Sequence, residues 1–431
     1  MKHKRSVWAV ALVTVLALAV AACGSSSKKS SSTNTTSKSS GGGNARGNVN
    51  GQLVLGKLLP QSGDLSAIFK SLDTPINIAV QEINAAGGVL GKPVVTKAAD
   101  DGTSPDIAST SLDSLLTSGK VDAILGPAAS GTAIGIIDKI KTAGVVDCSG
   151  SNTSSALSGA SDFYFRTAPP DKLQGPALAQ LVINDGKTKV AILVRNDSYG
   201  TGFGKSLGTS VKNGGANVVL NASYDPNASD FSADVSKVKQ KAPDAVVVIG
   251  FNDDGGKVIK EMIAQGIGPK QVQIYTADGM QGSTFYKGVD ANNPAVVQGM
   301  KGTAPAAAPS GVTHPFVAAF KKTGIDTIFS SYYYDCTLLI ALAAQAAGSD
   351  DPAKIKGKML EVSKGGTKCQ TYAACLALLK QGKDIDYDGA SGPVDLDSNH
   401  EPTVGVYDVW AYDAAGKPNN IKNVNQIKIN G

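Results

Sequence analysis

The chain has 431 residues, with 41 Lys and Arg against 36 Asp and Glu, a formal net charge of +5 and only 18% charged residues. So small a surplus, part of it at the extreme amino terminus, provides no basic block dense enough to argue for nucleic-acid binding. The histidines are His3, His314 and His400 and there is no Cys-x-x-Cys pair, so the composition argues against a metal site.

The first residues, Met1-Lys2-His3-Lys4-Arg5, form a basic patch, and an apolar run follows from Val7 to Val20. A basic start, a short apolar stretch and small residues at the cut describe an export signal over 1–22. The run is too short to span a bilayer comfortably. Val20-Ala21-Ala22-Cys23 resembles a bacterial lipobox, which implies cleavage before Cys23 and lipidation of its sulfur. Residues 23–50 are then a lipidated cysteine and a Ser/Thr/Gly/Asn/Lys-rich tether with no apolar surface to bury. A flexible chain of that length spans roughly 30 Å, enough to hold a globular body off a membrane. The expected location is extracytoplasmic, anchored to the cell membrane.

From Gly51 the chain alternates strand-like and helix-like segments. Leu53–Leu59 reads as an apolar strand. Asp73-Thr74-Pro75 reads as a helix start, with Ile76, Ala79, Val80 and Ile83 on one face and Gly87-Gly88 as the stop. Pro93–Ala99 is the next strand. Ser104-Pro105 opens a helix that buries Ile107, Leu112, Leu115 and Leu116. Val121–Leu125, Ala133–Thr142 and Val145–Cys148 continue as strand, helix and strand. The rhythm restarts after Pro170, with helices at Lys172–Asn184, Phe203–Asn213, Phe231–Lys241 and Gly256–Gln265. Between them lie strands at Val190–Val194, Val218–Ala222, Ala245–Gly250 and Val272–Thr276. After Gly299 the pattern is helical, at Pro315–Lys322, Ser331–Ala347, Pro352–Val362 and Thr371–Leu379, before a final strand at Thr403–Tyr412. Two such series in roughly 380 residues predict two doubly wound α/β lobes with parallel sheets. Open α/β sheets bind ligands at the carboxyl ends of their strands, so two facing lobes make a cleft.

With Cys23 lipidated, four cysteines remain in an oxidising compartment. Cys369 and Cys375 stand close enough in sequence to close a local disulfide. Cys148 and Cys336 are candidates for a second, and the sequence leaves free buried thiols open for them.

From about Leu53 to Ala414 the chain resembles type I periplasmic binding proteins of the branched-chain amino-acid type. The resemblance rests on Pro60-Gln-Ser-Gly63, Ala85-Ala-Gly-Gly88, Ile124-Leu-Gly-Pro-Ala-Ala-Ser-Gly-Thr132, Phe165-Arg-Thr167, Asp197-Ser-Tyr-Gly200 and Gly392-Pro-Val394, in that order. It implies a Venus flytrap with three hinge crossings, near Thr167, Gly302 and Val394. Lobe 1 would comprise 51–167 and 302–394, and lobe 2 would comprise 168–301 and 395–431. It further implies a small polar ligand, an amino acid above all, passed to an ABC permease by a monomer that is not an enzyme and carries no cofactor.

An amino acid needs donors for its carboxylate and an acceptor for its ammonium. Ser130 falls where a loop opens a helix, and outward N–H groups and the helix dipole there favour an anion. By the resemblance, Ser130, Ser151 and Thr153 hold the carboxylate and part of the ammonium, although helix capping by Ser130 or Thr153 is a compatible alternative. Tyr199 matches a tyrosine that closes over the ligand. Phe251 stands where the family usually carries Tyr, which leaves one hydroxyl contact in doubt. Asp278 stands where the family pairs an acid with the ammonium, with Asp253 and Asp254 as rivals. Ser66, Ile68, Phe69 and the Tyr332–Asp335 stretch are candidates for the side-chain pocket, whose polarity the sequence leaves open. An amide or urea-like ligand and a ligand-presenting sensor role are the alternatives. Gly200-Thr-Gly-Phe-Gly-Lys-Ser206 fails the phosphate-loop pattern because Tyr199 replaces the first Gly, and no Gly-x-Ser-x-Gly elbow occurs.

Overall fold

A computed structural model describes residues 49–431; the expected export signal, Cys23 and nearly all of the expected tether lie outside the described residues. The first lobe begins with β1 (Val54–Leu59), whose Leu55, Leu58 and Leu59 are buried. Helix α1 (Phe69–Ala85) then covers it with Leu72, Ile76, Ala79 and Ile83. This helix starts earlier than Asp73-Thr74-Pro75 suggests, with Pro75 in its interior. Its true start lies behind a short 3-10 turn, Ser66–Ile68, that leaves no cap signature in the sequence. Strand β2 (Val95–Asp100), α2 (Pro105–Thr117), β3 (Ala123–Leu125), α3 (Ser130–Ala143) and β4 (Val146–Ser149) follow. Ile107 of α2 is exposed at 44%, so that helix buries Ala108, Leu112, Leu115 and Leu116 instead. Tyr164–Arg166, which reads in sequence only as a boundary, is a fifth strand, β5. All pairs are parallel and the order is β2-β1-β3-β4-β5.

The second lobe runs α4 (Asp171–Asn184), β6 (Lys189–Arg195), α5 (Ser198–Asn213), β7 (Asn217–Tyr224), α6 (Ser232–Gln240), β8 (Ala245–Ile249), α7 (Asn252–Ala264) and β9 (Gln273–Thr276). The short α8 (Tyr286–Asp290) precedes β10 (Lys301–Pro305), which pairs in parallel with β9. Gly302 therefore lies inside the second sheet, and the second crossing falls a few residues later than the resemblance suggests. The chain then returns to the first lobe as α9 (Pro315–Lys321), α10 (Ser330–Ala347) and α11 (Pro352–Ser363). There β11 (Thr367–Cys369), α12 (Tyr372–Lys380), β12 (Ile385–Gly389) and β13 (Gly392–Pro393) complete a small side sheet. The chain crosses a third time, and β14 (Val404–Tyr412) runs antiparallel to β10, flanked by β15 (Pro418–Asn420) and β16 (Ile427–Asn430). The fold is thus two α/β lobes joined by three crossings. Among the described residues no helix is long and apolar enough to cross a membrane.

Helix α10 is buried along almost its whole length. The structure bonds its Cys336 to Cys148 of β4, with Cα atoms 5.8 Å apart, and bonds Cys369 to Cys375. Buried polar groups normally find partners, and the exceptions need an account. Asp147 sits in the middle of β4 between Ile124 and Tyr164, and neither carboxylate oxygen has a protein partner. Burial pushes its pKa well up, so the side chain is neutral in the fold. A carboxyl whose folded pKa is raised adds stability below its unfolded pKa and loses it as pH rises. Asp147→Val is therefore expected to stabilise the protein at pH 7 by about 1–3 kcal/mol, with a smaller gain at pH 4. Urea denaturation at the two pH values measures this, and a destabilised variant at pH 7 would rule the account out.

Candidate functional site

In each large sheet the chain leaves one strand, adds a neighbour on one side, then returns to the other side. The reversal lies between β1 and β3 in lobe 1 and between β6 and β8 in lobe 2. Ligands of open α/β sheets bind at such points, beyond the carboxyl ends of the strands. The segments leaving β1, β3 and β4 meet those leaving β6, β8 and β9 around one cavity. Ser130, Ser151, Thr153, Tyr199, Phe251 and Asp278 all line it, with Leu65, Ile68, Ala128, Ala129, Gly279 and Phe329. Only about 20 Å³ is open to the centre of a water molecule, room for roughly one water. An organic ligand therefore enters only when the lobes part.

The lobe 1 wall offers neutral donors. Gly126 turns the chain out of β3 with φ +117°, and a Cβ there would land on the Leu58 carbonyl oxygen. Helix α3 starts at Ser130 with Ala129 as its cap, so the first intrahelical bond is Ala133 N–H to Ala129 O at 3.0 Å. The earlier N–H groups of α3 are left for another acceptor. Ser130 is not a helix cap. Its hydroxyl accepts from the N–H groups of Thr153 (3.3 Å) and Ser154 (3.2 Å), joining the loops after β3 and β4. Ser151 has its hydroxyl engaged, donating to Ala128 O at 3.0 Å and lying 3.1 Å from the Tyr333 hydroxyl. It shapes the wall more than it faces a ligand. Thr153 is carried on a loop that Arg166 fixes, through bonds from Nη1 to the carbonyls of Asn152 (3.3 Å) and Ser154 (2.8 Å).

The lobe 2 wall is aromatic and acidic. The Phe251 ring lies between Tyr199, stacked at 5.5 Å, and the Arg195 guanidinium, 3.7 Å from its centroid. Asp197 caps α5 by accepting from Gly200 N–H at 2.8 Å, which sets Tyr199 in the first turn. The Tyr199 hydroxyl donates to Asp278 Oδ1 at 3.4 Å. Of the three rival acids, Asp253 is exposed and pairs with Lys257, and Asp254 is taken by Arg195 (2.8 Å) and Tyr224. Asp278 is the one that borders the cavity. Burial raises its pKa to about 6, with Gln174 and Tyr199 partly offsetting the effect.

Asp171, in the first turn of α4, escapes sequence reading. It is fully buried, neither oxygen has a well-formed hydrogen bond although the Thr153 side chain lies beside it, and it is within the field of Asp278. Burial, and then the Asp278 charge, push its pKa well up. The one sequence signal was an acid following Arg166-Thr-Ala-Pro-Pro170, which also reads as a plain helix start.

The apolar end of the cavity consists of Leu65, Ile68 and Phe329. Ser66 lines an outer groove, Tyr332 faces the hinge, Tyr333 bonds Ser151, and Asp335 binds the N–H groups of Ala390 and Ser391 at 2.8 Å each. That stretch therefore lies outside the cavity, and Phe329 just before it is the residue that enters. Contacts that join the lobes across the cleft include Ser154 Oγ donating to Ser198 O at 2.8 Å, Arg195 meeting Asp64 at 3.5 Å, and Ser283 Oγ donating to Asp326 at 2.8 Å.

Comparison with known proteins agrees with this fold. The model of the family described as periplasmic binding protein matches residues 52–417. The chain is 26% identical to the chemotactic signal transduction system substrate-binding protein BasB of Halobacterium salinarum, over 82% of this chain and 85% of that one. It is 25% identical to a Leu/Ile/Val-binding protein homolog of Brucella melitensis, over 72% and 84%. Among solved structures it resembles the branched-chain amino acid transporter substrate binding protein LivJ of Streptococcus pneumoniae in complex with isoleucine. That match has a TM-score of 0.71 and 23% identity, covering 88% of this chain and 100% of that one. A Rhodopseudomonas palustris solute binding protein in complex with 4-hydroxybenzoate matches with a TM-score of 0.68 and 17% identity, covering 87% and 97%. With the family model spanning both lobes and the cleft between them, the chain belongs to the type I periplasmic binding proteins, a family of extracytoplasmic substrate-binding proteins.

Proposed function

We propose that the protein captures an aliphatic α-amino acid, of the Leu/Ile/Val class, in its interlobe cleft and delivers it to an ABC importer. The observation that carries this reading is the polarity of one cavity. Ser130, Thr153 and the free N–H groups of α3 stand on one wall, and the Asp278 carboxyl stands on the other. Such walls suit a carboxylate and an ammonium, because a desolvated charge has to be paired. Leu65, Ile68 and Phe329 suit an aliphatic side chain. An aromatic acid without an amine would leave the buried Asp278 without a cationic partner. Closure follows from differential contact: a zwitterion bridges both half-sites only when the lobes meet.

A thermal-shift panel tests this, since a ligand that binds only the folded state raises the melting point. Leucine, isoleucine and valine are expected to stabilise the protein; benzoate, 4-hydroxybenzoate, urea and simple amides are not. A shift with benzoate and none with amino acids would reverse the assignment. Ser130→Ala is expected to weaken amino-acid binding by about 1–3 kcal/mol, as for a hydrogen bond to a charged group, with calorimetry as the readout.

The same reading has Cys23 lipidated and the 23–50 tether holding the body at the membrane. Cys23→Ser is expected to release the protein into the soluble extracytoplasmic fraction; retention in washed membranes would count against the anchor. The chemotactic relative favours a second reading, presentation of the loaded form to a signalling receptor. Crosslinking of the loaded protein in cells to a permease or to a transducer separates the two.

A further inference from the structure

The ligand cavity has a neighbour. A second gap between the lobes, of about 270 Å³ on the same measure as the 20 Å³ of the cavity, lies beside the second crossing. Lobe 1 gives it Thr327, Ile328, Ser330 and Ser331, and lobe 2 gives it Gln281 and Gly282. Asp326 spans it at one edge, accepting from the Ser283 N–H at 3.0 Å and from the Ser283 hydroxyl at 2.8 Å. Cavity and gap share two pieces of chain. Asp278 and Gly279 face the cavity, and Gln281 and Gly282, just after them, face the gap. Phe329 faces the cavity, and the residues on either side of it face the gap. At this point the wall is a single residue, and the Phe329 ring closes it.

The backbone holds Phe329 there against its preference. Its φ is +58° and its ψ 4°, a left-handed conformation that bulky side chains rarely adopt and that surrounding structure has to enforce. Ser330 N–H donates to Thr327 O at 3.0 Å, and Tyr333 N–H donates to Phe329 O at 3.2 Å, which fastens the residue to the start of α10. The ring is buried and stands edge-on to Tyr332. On the far side of the wall the polar groups are engaged or in solvent. Asp408 accepts from the Gln426 amide at 2.7 Å, the Ser330 hydroxyl donates to Thr327 O at 2.8 Å, and the Ser331 hydroxyl donates to Ala307 O. Lys321 of α9 reaches the gap from an exposed position. With two acids and one lysine on its lining, the gap selects no charge. What it offers is room and an apolar face made of Phe316, Phe320 and Ile328.

We infer that Phe329 sets the size limit of the site: it closes the cavity behind an aliphatic side chain and shuts out phenylalanine, whose ring needs the gap beyond it. This rests on the amino-acid reading of the cleft. A zwitterion held between Asp278 and the Ser130 wall has Leu65, Ile68 and Phe329 left for its side chain. A full pocket resists a larger group because packed atoms have to move to admit it. A small residue at 329 joins cavity and gap into one space, where an aromatic side chain lies against Phe316 and Phe320.

The test is calorimetry on the full chain with leucine and phenylalanine. The wild type is expected to bind leucine, and phenylalanine on the order of tenfold to a hundredfold more weakly. Phe329→Gly removes the ring and suits the left-handed backbone; Phe329→Ala removes the ring alone. Each is expected to raise phenylalanine affinity on the order of tenfold while leucine affinity falls. Two variants are used so that a misfolded one, detected by its melt, does not decide the matter; should neither fold, the wild-type preference decides. Adding Ala308→Trp, at an exposed position on the gap, is expected to cancel the gain and leave leucine binding as in the single variant. A wild type that binds phenylalanine as tightly as leucine, or a folded variant with no gain for phenylalanine, would overturn the size limit and leave the amino-acid reading standing. A gain that survives Ala308→Trp would overturn the use of the gap. A wild type that binds neither amino acid would overturn both this inference and the reading on which it rests.

Discussion

Asp278→Ala is expected to lower amino-acid affinity at least a hundredfold while leaving the protein folded. Removing one partner of a buried charge pair costs about 2–5 kcal/mol, because the other charge stays desolvated. Asp278 borders the cavity and, with its pKa raised to about 6, is largely ionised at neutral pH. Its pKa gives the prediction a second edge. With the folded value raised to about 6, protonated Asp278 favours the unliganded fold at low pH. That contribution, about 3 kcal/mol at most, is present below the ordinary carboxylate range and fades as pH rises toward 6. Ligand binding runs the other way. An ammonium selects the ionised form, so affinity should rise between pH 4.5 and 6.5 and then level off. Asp278→Asn keeps the shape and should flatten that profile. Calorimetry showing wild-type affinity in Asp278→Ala, or the same pH profile in Asp278→Asn, would remove Asp278 from the site.

Why Asp278 was legible in the sequence and Asp171 was not is a matter of local pattern. Asp278 follows an apolar strand at its carboxyl end, in the order that the family resemblance marks, and Ser130, Thr153, Tyr199 and Phe251 follow strands in the same way. A parallel sheet brings all such positions to one edge, so the alternation of elements is enough to gather them. Asp171 opens a helix after a crossing, where an acid is ordinary because of the helix dipole. Only the tertiary fold shows that it is buried beside Asp278 with no partner. Phe329 was missed for a similar reason: its backbone is left-handed, φ +58°, a conformation that no pattern of a bulky aromatic announces, and it turns the ring into the cavity just ahead of the tyrosines that sequence reading favoured. Strand β5 has only three residues and β10 contains Gly302 and Pro305, so their sheet membership comes from neighbours already in place. The shift of the second crossing past Gly302 follows from that same pairing with β9 and β14.

Glu401→Ala is expected to destabilise the fold by about 3–5 kcal/mol, more than any single change at the cleft. Arg166 of β5 is fully buried, and Glu401 of the third crossing accepts from its Nε at 3.0 Å and from its Nη2. Glu401 also accepts from the Ser158 hydroxyl at 2.8 Å and pairs with Lys172 of α4 at 2.6 Å. One carboxylate therefore ties the edge of the first sheet, the third crossing and the first helix of the second lobe. Its removal leaves the guanidinium buried without a counter-ion, since Lys172 is half exposed and cannot replace it. Glu401→Gln keeps the shape and should cost less. The functional consequence is separable from the structural one. Arg166 also donates to the carbonyls of Asn152 and Ser154 on either side of Thr153. Exchanging Arg166 and Glu401 together for methionine removes both charges, so much of the lost stability should return. The Thr153 loop, no longer held, should still bind amino acids poorly. Urea unfolding and calorimetry on the two single variants and the double variant give both quantities. Full recovery of affinity in the double variant would show that the buried pair serves the hinge alone and not the site.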